Sequence, residues 1–158
     1  MTIGLRYAQF GDFPRIGNFL DQYWQKDYVY VRHPDLFDWT FSRDLWDQEG
    51  YSFALMEDKD DIVGILGAIP FVFNRLGESF RAVWFVNYMI RPDYRRGPLA
   101  MRLLGAFHRP PYSLEVAFGL NPRVAPIYQR LGWRLLKPIH RHFAVLPDTT
   151  ERLKELVR

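Results

Sequence analysis

Two short stretches of this chain combine residue types at spacings that could do chemistry. The first is Ile90-Arg91-Pro92-Asp93-Tyr94-Arg95-Arg96-Gly97-Pro98-Leu99-Ala100, a basic turn between the end of an apolar run and the start of a helical pattern. A helix start leaves backbone N–H groups without intrahelical partners and carries partial positive charge. Arg95 and Arg96 add two formal charges, so the stretch suits a phosphate or pyrophosphate group. The second is Asn121-Pro122-Arg123-Val124-Ala125-Pro126-Ile127-Tyr128-Gln129-Arg130-Leu131-Gly132-Trp133. It reads as a short helix with Ile127 and Leu131 on one face, closed by Gly132, which is free to take a positive φ. Asn121 suits a helix cap, and Tyr128 carries a hydroxyl that can give up a proton.

Together the two stretches resemble the GNAT superfamily of acetyl-CoA-dependent N-acetyltransferases. That family's pyrophosphate loop reads roughly Arg/Gln-x-x-Gly-x-Gly/Ala after a strand ending Val-x-Pro-x-Tyr-Arg. Arg91 to Arg95 match the lead-in, Arg95 the first loop position and Ala100 the last. Pro98 departs from the pattern: it stands where the family has its first loop glycine, and so removes one backbone donor. The second stretch is similar to the family's Asn-x-x-Ala-x-x-Leu-Tyr-x-Lys-x-Gly-Phe segment. It keeps the seven-residue step from Asn121 to Tyr128 and the four-residue step from Tyr128 to Gly132, with Val124 at the alanine position. The resemblance spans roughly residues 3–146, with motif-level agreement confined to 88–133.

The resemblance implies acetyl-CoA as acyl donor, bound through Met89, Ile90, Arg95, Arg96, Gly97, Leu99, Ala100 and Asn121. It implies a strand amide near Met89 or Ile90 for the oxyanion, and Tyr128 as the acid that protonates the departing sulfur. No metal is implied. The acceptor would be a small amine. The ending Gly132-Trp133…Pro138-Ile139-His140…Phe143 looks like acetyltransferase-like proteins of bacterial polysaccharide clusters, some with two such domains in tandem, which points to an amino sugar.

Attack by an amine needs its lone pair free, so a base or a water chain must take a proton. The strand Phe80–Ile90 holds no Asp, Glu or His, and Asn87 and Tyr88 are its polar side chains placed to face a cleft. Glu115, on the next strand, is the carboxylate candidate; ordered water is the alternative, and no pattern singles out His33, His108, His140 or His142. The missing strand carboxylate and Pro98 keep open a second reading, a GNAT fold without catalysis that serves as a binding or structural module.

Positioning these residues requires a mixed α/β sheet. Gly4–Gln9 reads as a first strand, and Asp12 as the cap of a helix with Pro14 in its first turn. A second helix starts after Pro34, with Leu36, Phe37, Phe41 and Leu45 on one side. Three strands follow, Tyr51–Glu57, Ile62–Phe73 and Phe80–Ile90, joined by polar turns. Leu99, Leu103 and Phe107 predict a helix over Arg95–His108, then a strand over Ser113–Phe118, a helix over Pro122–Leu131 and one or two closing strands over Arg134–Val145. That order predicts a central, mostly antiparallel sheet with a parallel splayed pair and about four helices.

The 158 residues fit one domain, 1–146, followed by a polar tail or linker, 147–158, with a second domain or a homodimer as possible partners. The chain has no cysteine, which excludes disulfides, thiolate metal sites and a cysteine nucleophile. The start has no signal-peptide pattern and no stretch approaches the roughly 18 apolar residues that cross a bilayer, so a cytoplasmic location is expected. The net charge of +3 is unevenly spread: Arg91 to Arg141 holds ten Lys/Arg against Asp93 and Glu115, which is +8 and leaves −5 for the rest. Such a basic half fits a multiply charged anionic partner. Without a nucleic-acid signature, a phosphorylated cofactor fits better than nucleic acid.

Overall fold

The structure is a computed structural model that describes residues 3–42, 48–95, 97–122 and 124–136. It divides into two compact units, Met1–Gly119 and Leu120–Arg158. The first unit holds a five-stranded sheet in the order β1 (Gly4–Tyr7), β2 (Phe53–Asp58), β3 (Asp61–Arg75), β4 (Glu78–Ile90) and β5 (Leu114–Ala117). The first three pairings are antiparallel and the β4–β5 pairing is parallel. The helices of this unit are α1 (Phe13–Phe19), α2 (Val29–Arg32), α3 (Pro34–Phe41) and α4 (Leu99–Leu104). The second unit contains α5 (Ala125–Arg130). The expected mixed sheet with one parallel pair is therefore present, with five α-helices among the described residues.

Alternation along β4 assigns its two faces. Phe85 sends its ring to Phe107, just past α4, with centroids 5.9 Å apart. Val86, one residue on, packs against the cluster formed by α1, α3 and the sheet, which includes Ile16, Phe19, Leu20, Phe37, Phe41, Phe53, Leu55 and Ile65. This is the period-2 geometry of a strand covered on both sides. Beyond Gly67 the outer edge of β3 has no strand partner among the described residues. Ala68 still gives its N–H to Ser52 at 2.8 Å, so Pro70, two residues on, removes a donor from that same exposed edge. A proline there blunts pairing with other chains.

Several boundaries differ from those expected. Asp12 precedes α1 but does not cap it with its side chain. Its carboxylate instead accepts two bonds from Arg6, at 2.6 and 2.8 Å, and one from the Gln9 N–H at 2.8 Å. The chain after α1 continues through a π-helical turn, Leu20–Trp24, and the short α2, because helical periodicity there is broken by wide turns rather than by Gly or Pro. Leu45, Arg96, Arg123, the stretch predicted as closing strands from Lys137 on, and the polar tail lie outside the described residues.

The Asp12 network has a pH signature. Hydrogen bonds from Arg6 hold its carboxyl at about 2, below its ordinary value. A carboxyl whose folded pKa is depressed stabilises the fold above its unfolded pKa, and that contribution disappears as pH falls through the folded value. Arg6 is partly exposed, so the contribution is on the order of 1–2 kcal/mol after screening. Urea titrations of Asp12→Asn should therefore give a deficit of that order at pH 7 that closes between about pH 4 and pH 2. A deficit that persists unchanged at pH 2 would mean that packing, not charge, supplies it.

Candidate functional site

The site begins with an irregularity in β4. Ile65 pairs with Met89 and Gly67 with Val86, so Asn87 and Tyr88 together face the single residue Leu66. This is a β-bulge, and Asn87 takes the left-handed conformation it requires, with φ of 50°. Asparagine adopts that conformation at lower cost than most residues. Just before the bulge β4 also loses its other neighbour: the pairing with β5 runs from Ala82–Leu114 to Phe85–Ala117 and stops. From Val86 to Ile90, the edge of β4 that had faced β5 has no strand partner among the described residues.

Which amides that edge presents follows from alternation. Arg91 gives its N–H to Val63 on β3 at 2.9 Å, and Met89 pairs with Ile65 on the same side. Ile90, between them, turns its N–H and C=O the other way. Its carbonyl accordingly receives the Arg95 Nε–H at 3.0 Å. Of the two expected amides, Ile90 faces the open edge and Met89 faces β3.

The loop after β4 is tightly tied. Pro92–Tyr94 form a 3₁₀ turn, Arg91 makes a two-pronged bond to Asp93, and the Tyr94 hydroxyl donates to Asp58 at 2.7 Å. Arg95 folds back, with Nε on Ile90 and Nη2 3.7 Å from the Met89 sulfur. Gly97 takes φ of 101°, which a side chain would strain. The following helix is shorter than expected: α4 starts at Leu99, with Pro98 at the N-cap, rather than at Arg95. Pro98 pre-sets φ at −83° and its carbonyl accepts the first helical bond, from Arg102 at 2.9 Å. The Leu99, Ala100 and Met101 N–H groups thus precede the helix's own ladder and are the donors available to an anion. Tyr88 locks this start to β4 by donating to the Ala100 carbonyl at 2.8 Å. The structure therefore brings together Met89, Ile90, Arg95, Gly97, Leu99 and Ala100.

Glu115 lies on β5 opposite Val83, on the α4 face of the sheet. It accepts from, or pairs with, His108 Nδ1 at 3.0 Å rather than an arginine. On the other face, the Asn87 Nδ2–H donates to the Tyr28 hydroxyl at 3.2 Å. Tyr28 was not singled out by sequence. The available signal was an Asn within the apolar second half of a long strand, beside Tyr88, which marks a bulge but does not identify its partner.

In the second unit, α5 has a Schellman ending. Gly132, at φ 85°, gives its N–H to Gln129 and Trp133 gives its N–H to Tyr128, both at 3.0 Å. The apolar contact that accompanies this cap is Trp133 edge-on to Tyr128, centroids 5.0 Å apart at 87°. The Tyr-x-x-x-Gly-aromatic spacing is thus the spacing of a helix terminator. The helix begins at Ala125, later than Pro122, and Val124 rather than Asn121 is its N-cap. Asn121 contributes its backbone carbonyl, which accepts from Val124 at 2.9 Å and Ala125 at 3.2 Å. Tyr128 is buried, its hydroxyl has no hydrogen-bond partner among the described residues, and burial pushes its pKa up to about 12. No group of His, Asp and Glu able to hold a metal ion occurs among the described residues, and no helix among them is long and apolar enough to cross a membrane.

Known proteins give the same outline. Among solved structures, the chain is similar to the aminoglycoside acetyltransferase AAC(6')-Iy bound to the bisubstrate analog CoA-S-monomethyl-acetylneamine, with 13% identity and a TM-score of 0.71 over 92% of this chain and 100% of that one. A GNAT family acetyltransferase of Staphylococcus aureus matches with 14% identity and a TM-score of 0.66, covering 91% and 100%. A transcriptional regulator of Bacillus halodurans matches with 14% identity and a TM-score of 0.63, covering 90% and 100%. Identities this low establish the fold and nothing finer. A search of curated protein sequences finds no match. The profile of the acetyltransferase (GNAT) domain, however, matches residues 6–136, from β1 to beyond α5, and the chain belongs to that family.

Proposed function

We propose that the protein transfers an acetyl group from acetyl-CoA to the primary amine of a small molecule. The observation that carries this reading is the opened edge of β4: past the bulge it presents the Ile90 amide and leads directly into the donors at the start of α4. A pantetheine chain can add to such an edge as a strand would, while the N–H groups of Leu99, Ala100 and Met101 meet the pyrophosphate. Arg95 and Arg96 supply charge beside it, with Arg95 exchanging its bond to the Ile90 carbonyl for one to phosphate. The Ile90 N–H steadies the oxyanion as the amine attacks. Tyr128 protonates the leaving sulfur, a role carried over from the family resemblance. Glu115, paired with His108, is the carboxylate proposed to receive the amine proton through water. The relation to a CoA-bound aminoglycoside acetyltransferase supports an amino sugar as acceptor.

The test has two stages. CoA and acetyl-CoA should raise the unfolding temperature, since a ligand bound only by the native state stabilises it. Free thiol should then appear when acetyl-CoA is mixed with amino sugars and small amines. CoA binding with no thiol release from any amine would favour the second reading, a binding module without catalysis, for which the proline at the start of α4 speaks. No binding at all would remove the acyl-transfer reading and leave a structural module.

Pro98 also supplies a graded test. If the phosphate stays buried against the start of α4, one missing donor costs on the order of 1–3 kcal/mol. Pro98→Gly restores that N–H at an N-cap, where glycine is tolerated. Calorimetry should therefore find CoA bound roughly tenfold tighter. Equal affinity would mean that the phosphate does not use this position.

A further inference from the structure

Resting on the acyl-transfer reading, we propose that Tyr28 is a second hydrogen-bond donor to the developing oxyanion, and that Asn87 is the positioning residue that aims it. A phenol hydroxyl has one proton to give and lone pairs to accept with. The Asn87 Nδ2–H at 3.2 Å occupies the accepting side, so the proton points elsewhere, and no described residue takes it. Donation into the oxygen also polarises the O–H and strengthens it as a donor.

Both partners are held firmly. Asn87 is buried in the bulge in its left-handed conformation. Tyr28 ends a loop whose turn at Asp27 is fixed by the Asp21 carboxylate, which accepts the Asp27 N–H at 2.7 Å. The Trp24 and Tyr30 rings stand edge-on to Tyr28, centroids 6.2 and 5.3 Å away. An aromatic hydroxyl so constrained, at the point where β4 parts from β5, is a preorganised dipole of the kind that stabilises charge without reorganising.

In the step it serves, the amine nitrogen bonds to the thioester carbon and the carbonyl π pair moves to oxygen. The Ile90 N–H and the Tyr28 O–H share that charge. Collapse restores the C=O bond and breaks the C–S bond, sulfur leaving with the electron pair and taking a proton, while the amine proton passes to base or water. Tyr28 keeps its own proton throughout.

The decisive variant is Asn87→Asp. Aspartate has nearly the same shape and tolerates positive φ, so the bulge survives. Its carboxylate, however, accepts the Tyr28 proton instead of donating to the oxygen, as Asp38 accepts from Tyr51 elsewhere in this molecule. The loop stays anchored but the donor is turned away from substrate. With acetyl-CoA and glucosamine as acceptor, Asn87→Asp and Tyr28→Phe should each lower kcat by about 10²-fold. The KM for acetyl-CoA and the CoA-induced thermal shift of Asn87→Asp should stay close to wild type. A role in anchoring the loop would leave Asn87→Asp active. Wild-type turnover in Asn87→Asp alongside an active wild type overturns this role alone. A wild-type protein that binds CoA but releases no thiol above the protein-free background with glucosamine or any of the other amines tried overturns the acyl-transfer reading, and this role with it.

Discussion

Replacing Tyr128 by Phe should lower turnover by about 10²–10³-fold while leaving CoA affinity within about twofold. The substitution keeps the ring that Trp133 packs against, so the Schellman ending of α5 is preserved and only the proton is lost. Burial raises the hydroxyl to about 12, so it is protonated throughout the neutral range, the form an acid must have. An ordinary thiol titrates at about 8.5, and the phenolate is therefore the stronger base. Complete transfer to a thiolate is uphill by roughly 3–4 pKa units, on the order of 5 kcal/mol. In the proposed role, proton transfer from the hydroxyl is therefore only partly advanced as charge grows on sulfur, which places the loss in the lower part of the range for acid–base groups. The same value fixes the pH dependence. The required form is present below about 12, so the wild-type rate should show no fall between pH 7 and pH 10 as the amine loses its proton. Tyr128→Phe turning over at the wild-type rate would make Tyr128 a packing residue and leave the thiolate to depart unassisted.

The parts of this molecule that sequence could reach are those written in local patterns. The β3–β4 hairpin, the crossover from β4 through α4 to β5 and the glycine ending of α5 each follow from apolar periodicity or a turn residue within a few positions. The turn that Gly97 makes at positive φ before α4 is local in the same way. What escaped depends on partners distant in sequence. Arg6 draws the Asp12 carboxylate away from the helix it precedes, and His108 rather than an arginine meets Glu115. The bulge at Asn87 exists because β4 must part from β5 and still pair with β3, and only the fold reveals that Tyr28, 59 residues earlier, comes to meet it. Pro98 read as a defect in a loop; in the structure it is also the N-cap whose fixed φ starts α4.

Phe37→Ala should cost about 3–5 kcal/mol of stability, the largest effect expected from any truncation in the core. Phe37 is fully buried and stands at the centre of an aromatic cluster, with ring centroids 5.0 Å from Phe13, 5.5 Å from Tyr30, 4.6 Å from Phe41, 4.9 Å from Tyr51 and 5.3 Å from Phe53. Removing it deletes the transfer energy of a phenyl ring and the edge-to-face contacts with Tyr30 and Tyr51, and leaves a cavity whose rigid aromatic walls collapse poorly. Against a typical total of about 5–15 kcal/mol, such a loss would leave a domain of this size marginal at room temperature. The consequence reaches the site, because Tyr28, Val86 and Met89 pack on this same cluster, Val86 and Met89 flanking the bulge and Tyr28 meeting Asn87 within it. Urea unfolding should show the midpoint falling with the slope unchanged, which assigns the loss to the native state rather than to a change in surface exposed. Phe37→Leu keeps most of the volume and should lose only about 1–1.5 kcal/mol. If Phe37→Ala falls by less than 1 kcal/mol, the surrounding rings have closed over the gap. The cluster would then be adaptable, too soft to hold the Tyr28 loop in a fixed position.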